Sequence, residues 1–536
     1  MRTLILVIIS VTLAFGPVNA QNHLPRLNQI DVRHYRFEIG LNDSTNVITG
    51  KATILITFKK ASDTFYLDFD ASSGNSGDGM VVTNIKSDGK SCIYSINRER
   101  LLIQLPQKTK IGETHSFTVS YSGIPKDGLI ISKNRFGDRC FFADNWPDRA
   151  HFWIPVVDHP SDKATVEFIV TAPDHYQVVS NGHLTEETNI GKGYSVTHWS
   201  ESEPVAAYVM VIGVAQFAVQ QVKPYHHIPV STWVFPQNKD TGFKDYDVAE
   251  GPLRFYSAHI GPYPYEKLAN VQSKTRYGGM ENASCIFYNQ RSVNGRNNDA
   301  RLFAHEIAHQ WFGNSVTERN WYHIWLSEGF ATYLTNLYTE STEGEKAFIR
   351  HMETDRDTVI RYVLRNPAPV VDTTVTNYMK LLNPNSYEKA SWILHMLRVR
   401  LGDRLFWKGL RLYYNTFKDS TALTSDFENA METVYKKPLH DFFHQWLYCD
   451  GIPVLKMDQS PAGKHKIRLS IDQVQADYVF HFPLEINVIS SSGKTKTVSL
   501  RIESQNNTFT IRTGKHFSHL VPDPGCKLLY ELYSGK

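Results

Sequence analysis

Residues 301–329 read "RLFAHEIAHQWFGNSVTERNWYHIWLSEG", and two histidines four positions apart enclose a glutamate in this stretch. On a helix, His305 and His309 are separated by about 40° around the axis and by about one turn along it, so both imidazoles can reach one ion. Glu328 follows at the start of a second predicted helix. Two imidazoles and a carboxylate suit a catalytic zinc, which keeps a fourth position open. The stretch therefore predicts one zinc ion held by His305, His309 and Glu328.

The whole chain has the composition of a globular protein. Its 536 residues are 41% hydrophobic and 21% charged, which is enough apolar material for more than one core. The formal net charge is only +3 and contains no long block of one sign, so nothing indicates a surface for nucleic acid or anionic membranes. Partners therefore have to be inferred from a site instead.

The first twenty residues, "MRTLILVIISVTLAFGPVNA", place an arginine before a short apolar run and end in small residues. This pattern is typical of a secretory signal peptide, and we expect the mature chain to begin at Gln21. An uncleaved amino-terminal anchor is the alternative, although the apolar run is short for a membrane span. The sequence predicts an exported protein, either periplasmic or secreted.

Cysteine spacing and a glycosylation motif bear on the same question. No two cysteines form a CxxC pair, and their odd number leaves at least one thiol free; they are Cys92, Cys140, Cys285, Cys449 and Cys526. Asn282 and Ser284 form an acceptor motif for a glycan, but they lie within the predicted active site, where a glycan would block access. This favours a bacterial exported enzyme over a eukaryotic secreted one.

Hydrophobic periodicity divides the chain after the signal into three parts. Residues 21–225 alternate apolar and polar positions, as in "GKATILITF", and predict one large antiparallel sheet domain. Residues 226–450 repeat apolar positions at three and four, as in "SWILHMLRVRL", and predict a mainly helical domain. Alternation returns in residues 451–536, which predict a small β-sandwich. The predicted fold class is α+β, with several domains.

A bare HExxH pattern also occurs by chance on ordinary helices. Here "HEIAHQWFGNSVT" and "WLSEGFATYL" are preceded by "YGGMENAS", and together they resemble the gluzincin metalloaminopeptidases of the aminopeptidase N family, which includes the leukotriene hydrolase. The resemblance extends over most of the chain. It implies an amino-terminal saddle-like antiparallel domain, a thermolysin-like catalytic domain and a small carboxy-terminal β-sandwich.

The resemblance also implies two catalytic side chains. Glu306 would act as the general base that takes a proton from the attacking water. The segment "NPNSYEKASWILHML" resembles the family segment that carries a catalytic tyrosine, which points to Tyr387 as a donor to the oxyanion. Because the chain contains 27 tyrosines, position alone is a weak guide, and Tyr378 is the competing choice.

The segment Gly278 to Asn282 is the predicted substrate-binding strip, and Met280 lies at its centre. The family resemblance assigns recognition of the free amino group to Glu281, because a carboxylate binds an ammonium through a charge-assisted hydrogen bond. Gly278 and Gly279 would let the substrate backbone approach closely. The alternative is a plain turn that carries a surface glutamate.

One part of the chain departs from the family pattern. The family carries a Gln-x-Glu or Gln-x-Gln element in its amino-terminal domain, but "FADNWPDRAHFWIPVVDHP" has Asp144 and Trp146 at those two positions, and His151 replaces an arginine. Two readings of this departure are open: either Asp144 takes the role of the second anchor for the substrate amine, or Trp146 narrows the pocket for the first side chain. Asn314 is either a support for the site or a helix cap.

The predicted function is a zinc-dependent aminopeptidase that acts on peptides with a free amino terminus. Three alternatives remain open at this stage: hydrolysis of an epoxide at the same zinc, an endopeptidase, and a peptide-binding scaffold without activity. No nucleic acid is expected as a partner, and no membrane after removal of the signal. The sequence does not predict the preferred first residue or the oligomeric state.

Overall fold

The computed structural model describes residues 24–71, 79–296, 299–476 and 478–534. The predicted signal peptide, residues 1–20, lies outside the described residues. Among the described helices, none is both long enough and apolar enough to span a bilayer.

An eight-stranded sheet dominates the amino-terminal part. Its strands, in spatial order, are His183–Gly191, Tyr194–Ala206, Lys163–Pro173, Ile30–Gly40, Ile48–Phe58, Thr114–Ile124, Gly79–Ser87 and Lys90–Ser91. The predicted alternation is present: Tyr35, Phe37 and Ile39 are at most 2% exposed. The pairs of this sheet are antiparallel, as predicted, with one exception: Ile30–Gly40 and Lys163–Pro173 run parallel. A parallel pair needs a long crossover connection, and here about 120 residues separate the two strands.

Two smaller sheets complete this part. One has the order Gln177–Ser180, Ile212–Ala215, Arg139–Ala143 and Leu129–Lys133, and the other has the order Thr64–Asp68, Arg100–Gln104 and Ile93–Asn97. The strand Arg139–Ala143 ends immediately before Asp144, which accepts from the backbone N–H of Arg276 in the second domain; Trp146 packs on Trp321 of the same domain.

The second domain combines one sheet with most of the helices. Its five-stranded sheet has the order Ala218–Tyr225, Ile228–Val234, Leu268–Ser273, Cys285–Asn289 and Gly279–Met280. The first of these strands precedes residue 226, so the sheet begins before the predicted boundary. The longer helices are Lys239–Asp245, Glu250–His259, Ala300–Ala308, Trp325–Glu343, Glu345–Val363, Ala390–Leu401, Asp403–Phe417 and Thr424–Tyr435.

Short helical segments and strands fill the connections. The short α-helices are Leu24–Leu27 and His440–Phe443, and π-helical turns occur at Asn385–Lys389 and His444–Tyr448. The 3-10 turns are Ala150–Phe152, Ala207–Val209, Pro236–Asn238, Asp247–Ala249, Trp321–His323 and Tyr378–Leu381. A parallel pair of short strands joins Val316–Glu318 to Ser420–Ala422.

The carboxy-terminal part consists of two sheets, as expected from its alternation. One has the order Asn506–Arg512, Lys466–Gln473, Val454–Pro461 and Glu531–Leu532, and the other has the order Thr495–Ile502, Phe482–Ser490 and Phe517–Pro522. Leu469, Ile471, Leu484 and Ile486 are at most 1% exposed and form its core.

Two helices of the second domain carry the site. The first, Ala300–Ala308, is called the histidine helix below, and the second, Trp325–Glu343, is called the glutamate helix. Phe303 of the histidine helix stacks on Tyr288 of the sheet at 4.0 Å between ring centroids. Phe330 of the glutamate helix packs on Phe312 at 4.8 Å. These apolar contacts hold both helices in place and leave their polar faces directed at each other.

Candidate active site

Three predicted ligands meet where the histidine helix faces the glutamate helix. His305 Nε2 lies 3.0 Å from His309 Nε2 and 3.2 Å from Glu328 Oε2, and His309 Nε2 lies 3.3 Å from Glu328 Oε2. Ligands about 2.0 Å from a tetrahedral ion are separated from each other by about 3.3 Å. The three donor atoms therefore form one face of a tetrahedron of the right size for a metal ion.

The orientation of the His309 ring is fixed by contacts at Nδ1, the ring nitrogen that does not face the other two ligands. Its Nδ1 lies 3.3 Å from the carbonyl oxygen of Phe312 and 3.0 Å from Ser327 Oγ. A proton on Nδ1 that is donated to the carbonyl leaves the lone pair on Nε2, which faces the other two ligands. Gly313 makes room for this arrangement: its φ is +122°, and a Cβ there would lie 2.5 Å from Ser327 Oγ.

The charges of the site favour a bound cation. Glu306 and Glu328 are each 5% exposed. Desolvation lowers the pKa of His309, but the negative charges of Glu328, Glu281 and Glu306 outweigh it and raise this pKa to about 10. Carboxylates that are buried without compensation are costly, so the site attracts positive charge. Donor chemistry, spacing and charge together fit a metal ion.

Two further carboxylates lie beside the ligands. Oxygen atoms of Glu281 and Glu306 and a ring nitrogen of His309 all lie within 4.8 Å of one another. Burial raises the pKa of Glu281 to about 7, and burial also raises the pKa of Glu306 well above its usual range. The predicted base and the predicted amine-binding carboxylate are thus neighbours at the metal site.

The main chain of Glu281 is held by two side chains. Gln310 Nε2 and Asn314 Nδ2 both donate to its carbonyl oxygen, at 2.8 and 2.6 Å. Gln310 Oε1 also accepts from the backbone N–H of Ser284 at 2.9 Å. From the sequence, Asn314 was either a support for the site or a helix cap, and Gln310 was not among the predicted site residues. The only available signal was the position of Gln310 directly after His309.

The remaining residues of the predicted substrate strip differ in position. Gly278 is exposed, Gly279 is half-buried, and Met280 is 3% exposed in a short strand paired with Phe287. Asn282 is fully buried, and neither polar atom of its side chain has a hydrogen-bond partner among the described residues. Among these four residues, therefore, Gly278 and Gly279 are the ones that remain accessible to solvent.

The structure separates the two candidate tyrosines. The ring of Tyr387 stacks on His305 with 6.0 Å between centroids and an interplanar angle of 12°. Burial, followed by the charge of Glu328 and a hydrogen bond to it, raises the pKa of Tyr387 well above its usual range. Tyr378 instead packs against Trp321 and Tyr322. Tyr387 contacts the ligand set, whereas Tyr378 contacts an aromatic wall beside it.

Asp144 lies in a different setting from the one expected of an amine anchor. It is fully buried, and its Oδ1 accepts from Arg149 at 2.5 Å. Its other oxygen accepts from the backbone N–H of Arg276 at 3.0 Å. The neighbouring Trp146 is 2% exposed and packs on Trp321 at 5.5 Å. The anchoring role of Asp144 remains a prediction, and Arg149 already neutralises its charge.

Comparison with known families decides the relationship of the chain. A model described as the peptidase family M1 domain matches residues 245–446, which contain the histidine helix and the glutamate helix. A model described as the peptidase M1 N-terminal domain matches residues 32–209. The chain belongs to peptidase family M1.

Relatives of this M1 chain include proteins named as aminopeptidases. It is 26% identical over 459 residues to "Probable aminopeptidase 2" of Sulfurisphaera tokodaii. The aligned region covers 80% of this chain and 56% of the relative. It is 25% identical over 403 residues to glutamyl aminopeptidase of Sus scrofa. That aligned region covers 71% of this chain and 43% of the relative. The M1 chain thus spans about half the length of these curated relatives.

A solved structure has the same fold. The M1 zinc metallopeptidase from Deinococcus radiodurans superimposes with a TM-score of 0.69 at 23% sequence identity, and the match covers 80% of this chain and 95% of that one. The expected M1 architecture of a β-rich amino-terminal domain, a helical catalytic domain and carboxy-terminal sheets is therefore confirmed.

Proposed function

We propose that this M1 protein is a zinc-dependent aminopeptidase that removes the first residue of peptides. The observation that carries the proposal is the position of Glu281, whose carboxylate lies within 4.8 Å of both the predicted base Glu306 and the predicted ligand His309. A carboxylate at this point binds a peptide ammonium next to the group that performs the hydrolysis. The aminopeptidase names of the relatives support the same activity.

His305, His309 and Glu328 would hold the zinc ion. When bound, zinc supplies a Lewis acid that polarises a peptide carbonyl and lowers the pKa of water. The same three residues leave one side of the site open, toward Glu306 and Glu281. Ser327 and the Phe312 carbonyl would keep His309 in the ligating orientation, because both contact Nδ1 and leave Nε2 free.

Glu306 and Tyr387 supply the remaining chemistry. Glu306 accepts a proton from the attacking water and then delivers it to the nitrogen of the leaving amine. Tyr387 keeps its phenolic proton because its pKa is raised by burial, so it can donate a hydrogen bond to the oxyanion that develops on the carbonyl oxygen. Its stacking on His305 places the phenol at the edge of the ligand set.

Glu281 supplies the restriction to amino termini. A free ammonium group pairs with this buried carboxylate, whereas an acylated nitrogen leaves it without a partner. An unpaired buried group costs about 1–3 kcal/mol, which corresponds to about tenfold or more in selectivity. The same residue argues against an endopeptidase, because an internal bond offers no ammonium.

The test compares matched substrates with free and acetylated amino termini. The purified protein, zinc-loaded and assayed without chelator, should hydrolyse aminoacyl nitroanilides and short peptides. The amino-acetylated counterparts should react at least about tenfold more slowly, because they leave Glu281 unpaired. Dialysis against a chelator should abolish turnover, and added zinc should restore it. Equal cleavage of free and acetylated peptides would establish an endopeptidase, and no cleavage of either by zinc-replete protein would favour the inactive scaffold.

Export is a separate proposal that rests on residues 1–20. Expression of the full chain in a bacterium should yield a mature protein that begins at Gln21 and is recovered outside the cytoplasm, which amino-terminal sequencing would establish. A product that retains the first twenty residues in the membrane fraction would support the uncleaved anchor instead.

A further inference from the structure

Glu281 lies in a turn that the sheet does not hold. The turn, residues 281–284, joins the strand Gly279–Met280 to the strand Cys285–Asn289, and the pairing of these strands ends at Met280. All four turn residues are at most 6% exposed. Buried backbone groups that lie outside a strand ladder need other hydrogen-bond partners. The position of the Glu281 carboxylate therefore depends on the groups that hold the turn.

The side chain of Gln310 bonds to both ends of this turn. Its Nε2 donates to the carbonyl oxygen of Glu281 at 2.8 Å, and its Oε1 accepts from the backbone N–H of Ser284 at 2.9 Å. Gln310 is fully buried, and hydrogen bonds away from water are stronger than those exposed to it. Because one amide uses its donor and its acceptor on the same turn, it fixes the orientation of the turn as well as its distance.

Gln310 also belongs to the segment that carries the predicted metal ligands. It follows His309 directly, and its backbone N–H donates to the carbonyl oxygen of Ile307 in the histidine helix at 3.1 Å. A carboxylate oxygen of Glu281 lies within 4.8 Å of a ring nitrogen of His309. The side chain of Gln310 therefore links the carboxylate that would bind an ammonium to the helix that would bind the metal.

The amino-terminal part of the chain holds the far end of the turn. Asn181 Nδ2 donates to the carbonyl oxygen of Ala283 at 2.7 Å, and the backbone N–H of Gly182 donates to Ser284 Oγ at 2.7 Å. Neither of these two contacts reaches Glu281. If the glutamine side chain were removed, Ala283 and Ser284 would stay attached to the amino-terminal part, and the movement would fall on Glu281.

We propose that Gln310 is a positioning residue for recognition of the substrate's α-ammonium group, because it places the Glu281 carboxylate beside the metal site. The proposal rests on the aminopeptidase function proposed above. Asn314 donates to the same carbonyl oxygen at 2.6 Å, so the loss of Gln310 leaves this peptide group with one donor instead of two. One donor lets the group pivot about the remaining bond. A carboxylate that binds an ammonium has to be held to within about 0.5 Å, so such a pivot weakens the binding.

The test uses Gln310→Met, which keeps the shape and removes both polar atoms, and Gln310→Asn, which keeps the amide on a side chain about 1.5 Å shorter. Both variants should keep one zinc ion per chain and a kcat within about threefold of the parent, while KM for an aminoacyl nitroanilide rises about tenfold. Circular dichroism checks that each variant is folded. If Gln310→Met does not fold, Gln310→Asn decides the test.

A second buried glutamine provides a matched control. Gln473 is 1% exposed in the carboxy-terminal sheets, where its Nε2 donates to the carbonyl oxygen of Phe480 at 2.8 Å and its Oε1 accepts from the N–H of Phe480 at 2.9 Å. Gln473→Met removes the same kind of buried bonds in another domain. It should lower the midpoint of thermal unfolding, as Gln310→Met does, and leave KM unchanged.

A binding measurement gives a readout besides turnover. Leucine hydroxamate and 4-methylpentanohydroxamate, its counterpart without the amino group, present the same metal-binding end, so the ratio of their dissociation constants reports ammonium recognition alone. Calorimetry should show a ratio of at least about ten for the parent protein and for Gln473→Met. The ratio should be at least about threefold smaller for both Gln310 variants.

The outcomes separate this inference from the proposed function. A parent that prefers the ammonium-bearing hydroxamate, with folded Gln310 variants whose ratio is unchanged, would overturn the role of Gln310 and leave the aminopeptidase intact. Loss of zinc from the variants, or equal weakening of both hydroxamates, would show that Gln310 supports the metal ligands instead. A parent without any preference for the ammonium would overturn the aminopeptidase proposal, and the role of Gln310 with it.

Discussion

Gly279 and Glu306 are so close that a single methyl group at the glycine would disturb the predicted base. A Cβ built on Gly279 would lie 2.5 Å from Glu306 Cγ and closer still to its carboxyl carbon and Oε1. Carbon atoms in van der Waals contact are about 3.5–4.0 Å apart. Gly279 is fixed in the strand Gly279–Met280, which pairs with Cys285–Asn289, so Glu306 has to move. The displacement required in Gly279→Ala is therefore about 1 Å.

The expected cost follows from that displacement. A misplacement of about 1 Å in a reacting group lowers the rate about a hundredfold, which is about 2.7 kcal/mol in the activation free energy. The three atoms nearest to the added methyl group all belong to Glu306, which is not one of the predicted metal ligands. We expect kcat/KM of Gly279→Ala with an aminoacyl nitroanilide to fall about a hundredfold, while zinc content measured by mass spectrometry remains one ion per chain.

The neighbouring glycine provides a matched control. A Cβ on Gly278 would have only Leu302 Cδ1 nearby, at 3.6 Å, which is an ordinary contact. Neither glycine has a φ in the left-handed region, so backbone strain does not distinguish them. Gly278→Ala should retain kcat/KM within about threefold of the parent. Near-normal activity of Gly279→Ala, or an equal loss in both variants, would refute the steric reasoning.

Three further predictions concern other parts of the molecule. Glu306→Gln should retain zinc and lose at least about a hundredfold in kcat, whereas Glu328→Ala should lose zinc on dialysis; metal analysis beside kinetics distinguishes them. Tyr387→Phe should lower kcat about a hundredfold with zinc retained, and the reverse result, with Tyr378→Phe as the damaging change, would identify the other tyrosine. Desolvation lowers the pKa of His151, but its hydrogen bond and ion pair raise it to about 9, above its unfolded value of about 6.5. The stabilisation is therefore complete below about pH 6.5 and is lost as the pH rises through about 9, so thermal unfolding of His151→Gln should depend less on pH across this window than unfolding of the parent.

The sequence pattern around His305, His309 and Glu328 was enough to predict that these three side chains meet. Spacing of four on a helix brings His305 and His309 onto one face, and their Nε2 atoms lie 3.0 Å apart in the structure. The parallel pairing of two amino-terminal strands could not be predicted in the same way. Alternation shows which face of a strand is buried. Ile30–Gly40 and Lys163–Pro173 largely alternate buried and less buried positions, as antiparallel strands do, although they pair in parallel. The partner strand is set by the long-range fold rather than by either segment.

Side-chain direction accounts for the other differences between what the sequence predicted at single positions and what the structure contains there. Gly278 and Gly279 are identical in the sequence, and only the direction of a Cβ at each position shows that one of them faces Glu306. Asp144 had the charge of an amine anchor, but its pairing with Arg149 depends on the turn that reverses the chain between them.

Charge explains why one site would accept both a metal ion and an amino terminus. Glu281, Glu306 and Glu328 are each at most 6% exposed. Such a group of carboxylates is unfavourable without a cation, because each acid loses hydration and the like charges repel each other; burial and the neighbouring carboxylates raise the pKa of Glu281 and Glu306. A divalent ion at the histidines offsets part of this charge, and an ammonium group beside Glu281 offsets more. A peptide with a blocked amino terminus supplies no second cation, so the selectivity proposed here follows from the charge that remains after the metal is bound.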